Sequence, residues 1–435
     1  MYPRQTLISL AVLAALSGSV WASSTVTTNQ NGNANQINVD QNGATGSSIS
    51  ITQNGDNNIA AKSSNGAHPN NPLTQTATNS ILSINQQGND QTVTAEQTGS
   101  TNSANIGQSA SNGSTASLLQ TGSGGTVTMS QTNELGSTAT TNQAGSGNAA
   151  TIGQSNGSNN TATITQVLSG SGNTATISQD ANSGSSADIS QLGSVSGGSG
   201  TISQTGNSNS TALIVQPFGN GNIASITQAN NSGSGASVIQ VGATNNASVY
   251  QSANIGGTAN VTQSGDNNQA YPGTYSIYQA NNTSSTANLM QSGNGNAGSI
   301  YQYAGSNYST AALAQSGGSN TGFIQQYAAT NSHAGVNQQT ASNTALVYQT
   351  SGDFLTASIT QKGGTGNNIY SSQTGQYNDI VLTQEGSANI ANVTQSGLGT
   401  ALAHNMVNLA QTGNGMVANV AQSGGSGNTA TIVQH

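Results

Sequence analysis

The chain has 435 residues, enough for two or three ordinary domains, yet only 32% are hydrophobic, 3% are charged and 56 are glycine. With no cysteine it has no disulfide framework, and three Lys and Arg against eleven Asp and Glu leave no electrostatic basis for binding nucleic acid. Its polar residues are mostly Gln, Asn, Ser and Thr and its prolines number five, which suits ladders of hydrogen bonds better than a solvated coil.

Residues 1–22 read as a secretory signal peptide. Arg4 supplies the positive start, an apolar run extends from Leu7 to Leu16, and small residues at Val20 and Ala22 flank Trp21 before a cleavage point near Ala22–Ser23. The run is shorter than the roughly 20 apolar residues that a membrane span needs, so no span is expected after cleavage. The mature chain, 23–435, keeps Lys62 and Lys362 against eleven acids, a net charge of about −9.

A Gln then recurs along the whole chain. It stands at Gln30, Gln41 and Gln53, and again from Gln75 to Gln434, giving 34 markers at a mean step of about 11.9 residues with one beat missing between Gln53 and Gln75. Two residues before the marker is Ile, Val, Leu or Met in 30 of the 34 units, the exceptions being Thr28, Ala95, Thr141 and Ser371. Four before it is usually Ala, as at Ala162, Ala175 and Ala187, and Thr, Ser or Asn lie between. This period of two predicts a short strand with Ala, the aliphatic residue and Gln on one face; the Gly- and Asn-rich stretch after each Gln predicts a turn.

One such strand cannot bury its apolar face, but two strands and two turns close into a coil of about 24 residues that stacks on the next. The expected fold is all-β: a two-sheet parallel β-solenoid of about 17 coils, two short strands per coil, roughly 80 Å long at about 4.8 Å per coil. Its core is expected to hold amyloid-like ladders of Ala and Ile and of Gln and Asn amides, each stacked on copies of itself. Gln143, Gln154, Gln166 and Gln179, with Ile152, Ile164, Ile177, Asn148 and Ala150, represent these ladders. The near-identity of "SGNTATISQ" (Ser171–Gln179) and "SGNTATIVQ" (Ser426–Gln434) follows, because every coil meets the same environment.

The stretch 59–74 is irregular. It contains Lys62, Pro69 and Pro72, and is expected to be one degenerate strand and a loop, since Pro cannot donate to a ladder. The longest other steps are Gln263–Gln279, with "AYPG" at Ala270–Gly273, and Gln395–Gln411, with "TALAHN" at Thr400–Asn405; both insertions are expected in turns. Tyr250, Tyr278, Tyr301 and Tyr348 immediately precede markers on alternate strands, with Gln325 interrupting the series. If strands alternate between sheets, these tyrosines form a contact stripe on the outer face of one sheet, while Ile239, Thr262, Met290, Ala314 and Asn337 take that position on the other. With no distinct capping segment after Gln434, an open ladder edge is expected there.

"STATTNQAGSGNAATIGQ", Ser137–Gln154, fits Ser-x5-Gln-x-Gly-x-x-Asn-x-Ala-x3-Gln through Ser137, Gln143, Gly145, Asn148, Ala150 and Gln154. "QTGSTNSANIGQ" (Gln97–Gln108) and "QEGSANIANVTQ" (Gln384–Gln395) match from their first Gln onward. This pattern resembles the repeat of curlins, the subunits of bacterial curli amyloid. The resemblance implies a subunit secreted unfolded through an outer-membrane channel of a Gram-negative bacterium, with a possible nucleator subunit. It also implies a homopolymeric cell-surface fibre serving biofilm matrix, adhesion and cell aggregation. The repeats begin by Val26, without the Gly-rich secretion tag usual in curlins, and they are more numerous than in the familiar subunits.

The chemistry-bearing residues point away from an enzyme. His68, His333, His404 and His435 lack metal-ligand spacing and read as turn or terminal residues, so no metal or other cofactor is expected. Asp40, Glu96 and Asp188 fall on outward strand positions, Asp379 opens a strand on the outward parity, Asp180 and Glu385 follow a marker, and Asp56, Asp90, Glu134, Asp266 and Asp353 lie in turns. They form no cluster for acid–base catalysis. The alternative to a fibre subunit is a monomeric secreted solenoid whose flat outer face binds a surface such as ice or a glycan. Outward "TAT" triplets at Thr161–Thr163, Thr174–Thr176 and Thr429–Thr431 suggest it, but they do not recur in every coil, as ice-binding rows require.

Overall fold

Alternation of small or aliphatic residues with Thr and Ser makes one face of each unit apolar, and stacking is the way such short strands bury it. The computed structural model describes residues 23–61, 72–167, 170–193, 196–271 and 273–435; residues 1–22, expected from the sequence to be a signal peptide, lie outside them. These residues contain 36 strand segments and no helix. From Ile81 onward, each strand pairs in parallel not with its neighbour in sequence but with the next strand but one; before it, split second-sheet strands add segments to the count without changing this alternation. Thr126–Thr132 pairs with Ala149–Ser155, which pairs with Thr174–Asp180, in the first sheet. Thr138–Gln143 pairs with Thr161–Val167, which pairs with Ser186–Leu192, in the second. The first sheet has 17 strands, and the whole is a two-sheet parallel β-solenoid of about 17 coils.

Marker faces marker in the register: Gln131, Gln154, Gln179 and Gln204 are successive partners. Ala150, Ala175, Ile152 and Ile177 of the first sheet, with Ala162 and Ile164 of the second, are all buried in one continuous core. Each fully buried aliphatic side chain contributes about 1.5–3 kcal/mol relative to exposure.

The stretch 59–74 differs from the expectation of a degenerate strand. Ile59 and Ala60 stand opposite Thr92 and Val93, and Thr74 and Gln75 stand opposite Glu96 and Gln97. Ile59–Ala61 and Leu73–Thr78 are therefore two halves of one second-sheet strand, separated in sequence by an insertion whose residues 62–71 lie outside the described structure. The alternation between sheets continues without a lost beat, because Gln75 takes its place between Gln41 and Gln97.

The "AYPG" insertion also interrupts a strand rather than a turn. Gln269 bridges to Ala297, and Ile277 pairs with Val249 and Ile300, so the chain leaves the first sheet after Gln269 and rejoins it near Ser276. In both cases the inward positions two before the marker and at the marker remain filled, by Leu73 and Gln75 and by Ile277 and Gln279, all buried. The "TALAHN" insertion does fall in a corner, between strands Ile390–Leu398 and Asn405–Thr412.

The corners stack as tightly as the strands. Gly122 has φ +108°, and a Cβ there would lie 2.1 Å from the Gly145 carbonyl oxygen, so only glycine fits. At another corner Gly136, Asn159, Gly184 and Asn209 occupy one column, all with left-handed φ between 49° and 64°. That requirement explains the Gly and Asn after each marker.

The face assignment is testable at adjacent residues. Ile177 is wholly buried and Thr176 half-exposed. Ile177→Asp should cost several kcal/mol by placing an unpaired charge in the dry core, lowering the urea midpoint sharply. Thr176→Asp should shift that midpoint far less.

Candidate functional site

The inward glutamines form two continuous ladders. In the first sheet Gln154 Nε2 donates to Gln179 Oε1 at 2.8 Å, and Gln179 to Gln204 at 2.8 Å. In the second, Gln143 donates to Gln166 at 2.9 Å and Gln166 to Gln191 at 2.8 Å. The first ladder runs from Gln30 to Gln422 and the second from Gln41 to Gln434. Every step donates toward the C-terminal coil, so the ladders are polar. The second amide hydrogen also finds an acceptor: Gln154 Nε2 reaches the Thr138 carbonyl and Gln166 Nε2 the Ala149 carbonyl. A buried amide left without its partner would cost about 1–3 kcal/mol, which is why the residue does not vary.

Asparagine behaves differently from the expected self-stacking. Asn148 Nδ2 donates to the Ala144 carbonyl at 2.8 Å within its own corner, while its Oδ1 accepts the Asn173 backbone N–H of the next coil at 3.0 Å. Asn173 Oδ1 in turn accepts from the Gly198 N–H at 2.9 Å. The shorter side chain sits where the backbone turns, and caps peptide groups that no strand reaches. Direct amide pairs occur in a minority of coils, as from Asn405 to Asn378 at 2.9 Å. Two hydroxyls at the inward aliphatic position, Thr141 Oγ1 and Ser371 Oγ, are buried without a hydrogen-bond partner.

The outward tyrosines share the first sheet. Tyr250 pairs with Tyr278 and Tyr278 with Tyr301, then Gln325 stands between Tyr301 and Tyr348. The rings of Tyr250 and Tyr278 are stacked, 5.2 Å apart and 5° from parallel, and Tyr301 lies 5.6 Å beyond. The gap at Gln325 is closed by Phe323, whose ring is 5.3 Å from Tyr301 and 5.7 Å from Tyr348. Tyr370 extends the row at 5.5 Å from Tyr348. Tyr303 and Tyr327, 5.0 Å apart, form a parallel column, and Tyr275 from the insertion packs on Tyr250 and Tyr278.

The insertion covers part of this face. Its Tyr271 N–H donates to Ser299 Oγ at 2.9 Å, and that hydroxyl donates to the Tyr275 carbonyl at 2.8 Å. Gly273 approaches the Tyr301 ring so closely that a Cβ would clash with its hydroxyl. The four stripe tyrosines are thus half-buried, and burial pushes the phenols of Tyr278, Tyr301 and Tyr348 above their usual range. A second aromatic group joins Phe354, Tyr377 and His404 at one corner, where His404 Nδ1 lies 2.6 Å from Asp379 Oδ2. His404 is accordingly paired with a carboxylate rather than a plain turn residue, because the insertion folds back on the preceding second-sheet strand. His333 opens a strand, and His68 lies outside the described residues.

Glu134 is the acid whose setting the sequence concealed. It occupies a corner but points inward and is buried, accepting from Ser137 Oγ and, at 3.0 Å, from the Gly157 N–H. Desolvation is the largest influence and raises its pKa above the ordinary 4.5, against the pull of Ser137, Gly157 and Asn160. Asp180 is opposite in kind: Ser155 and Asn156 donate to it and hold its pKa below the usual value. Among the described residues no three His, Cys, Asp or Glu gather as metal ligands.

The raised Glu134 pKa has a defined sign. The folded state favours the neutral acid, so the linked stability is complete below the unfolded value and is lost as pH rises through the folded one. Glu134→Gln retains an acceptor for Gly157 and can donate to Ser137. Its urea midpoint should exceed the wild-type value at about pH 7, with the two converging below about pH 4.

No curated protein matches the chain. The family model for the curlin associated repeat matches residues 136–167 and 199–229. The first stretch spans strands Thr138–Gln143, Ala149–Ser155 and Thr161–Val167; the second spans Ser199–Thr205, Thr211–Phe218 and Ile223–Ala229. The strands between and around these stretches continue their ladders and register, so the two stretches that match the curlin associated repeat are parts of one unbroken array.

Proposed function

We propose that the mature chain is a structural subunit of an extracellular, curli-like amyloid fibre on a Gram-negative cell surface, serving biofilm matrix, adhesion and cell aggregation. The uninterrupted, one-directional glutamine ladders carry this reading. Adding a coil within the chain uses the same hydrogen bonds and the same Ala and Ile burial that adding a coil of a second chain would use. The partner is therefore a further copy of the chain, with a nucleator subunit and an outer-membrane secretion channel as in curlins. The signal-peptide pattern of residues 1–22 supports export. Mature protein diluted from denaturant should form fibres that diffract at about 4.7–4.8 Å along the axis. A folded monomer that stays soluble for days would overturn the reading and favour a solitary surface-binding solenoid.

The row of Tyr250, Tyr278, Tyr301 and Tyr348 serves in this proposal as a lateral contact between rods or with a surface, since tyrosine combines a large apolar ring with a polar tip. Replacing all four by Ser should leave the axial repeat unchanged but reduce bundling in electron micrographs and attachment to a test surface. Unchanged bundling and attachment would leave the row as strand packing alone.

A further inference from the structure

We infer that the tyrosine cluster on the first sheet is an oxidative modification site, where a peroxide-dependent one-electron oxidant joins Tyr250 and Tyr278 as a dityrosine. The two residues are direct partners in the parallel register, and their rings lie 5.2 Å apart and 5° from parallel. Both residues hold the same outward position on adjacent strands, which stacks one phenol ring on the other. Tyr278 sits at the centre of the cluster, also touching Tyr275 at 5.8 Å, Tyr301 at 5.6 Å and Tyr303 at 6.0 Å.

An entry point for the oxidant is present. Tyr327 is 39% exposed at the rim, and its ring is 5.0 Å from Tyr303, which leads to Tyr278 and then Tyr250. A hydrogen atom lost at the rim can be replaced from ring to ring until two radicals are adjacent in the half-buried pair. The chemistry balances with hydrogen peroxide as oxidant. Two one-electron oxidations remove two electrons and the two phenolic protons. The tyrosyl radicals couple through one ortho carbon each, forming a carbon–carbon bond. The two ortho hydrogens then move through solvent to the oxygens, restoring both phenols, while the peroxide accepts two electrons and two protons and leaves as two waters. The product staples successive first-sheet strands in a chain that has no cysteine for the purpose. Because both residues belong to one chain, the inference does not depend on fibre formation.

The test is oxidation of the folded mature chain with hydrogen peroxide and a haem peroxidase. The expected product shows dityrosine fluorescence, lacks two hydrogens by mass, keeps the length of a single chain, and yields a proteolytic fragment linking the segments of Tyr250 and Tyr278. Tyr278→Phe keeps the ring and its stacking, and should abolish that fragment and most of the intrachain dityrosine. Tyr308→Phe, at a turn residue 61% exposed and in no ring contact among the described residues, should leave the yield unchanged. Chain unfolded in urea should lose the preference for the Tyr250–Tyr278 link. The inference is overturned by absence of dityrosine in the folded wild type, by an undiminished yield in Tyr278→Phe, by an equal drop in Tyr308→Phe, or by links found only between separate chains.

Discussion

Each residue of a coil must tolerate its counterpart in the next coil about 4.8 Å away, and that single constraint selects every residue class in the molecule. An apolar residue benefits from its copy through burial. A glutamine benefits doubly, because its amide both donates and accepts along the stack and can spend its spare hydrogen on a backbone carbonyl. A charge does not: like charges at that spacing repel by roughly 1 kcal/mol in water and about fourfold more at the effective dielectric of a protein surface. The acids on strands accordingly stand beside neutral or basic partners. Asp180 lies between Ser155 and Thr205, Asp188 between Thr163 and Leu213, and Glu385 between Lys362 and Thr412.

The two broken strands show which part of a coil cannot be given up. Both insertions interrupt the strand ahead of the inward aliphatic residue, and both restore that residue and the marker Gln to their columns. A chain can leave the sheet through its solvent face at the cost of a few backbone bonds. Losing one inward position would open a cavity in the dry core and leave two ladder amides without partners. The length of a step between markers is therefore a weak guide to where extra residues lie.

The aromatic face is where this chain departs from a uniform rod. Its rings come from the positions one and three before the marker and one after it, all on the outward parity, and from an insertion that folds back over them. The core ladders make every coil equivalent, so they carry rigidity and length but no location. The tyrosine cluster marks one segment of one face, which is what a contact or a modification needs.

How much of this was legible in the sequence depends on whether the feature repeats. The signals at two and four residues before Gln154, Gln166 and Gln179 determined strands, the inward face, coil length and two alternating sheets, because period two and a fixed step are local properties of the chain. The same parity rule, applied to Phe323, Tyr303, Tyr327 and Tyr370, would have placed those rings beside the four tyrosines that were singled out. Only the tertiary structure decided that Ile59–Ala61 and Leu73–Thr78 share one strand, that Tyr275 and Gly273 lie over Tyr278 and Tyr301, and that Glu134 turns inward to Ser137 and Gly157. Each of these depends on the coil above or below, some twenty-odd residues away in the chain, and on which side of a corner the backbone leaves room; no periodic signal encodes such a singular contact.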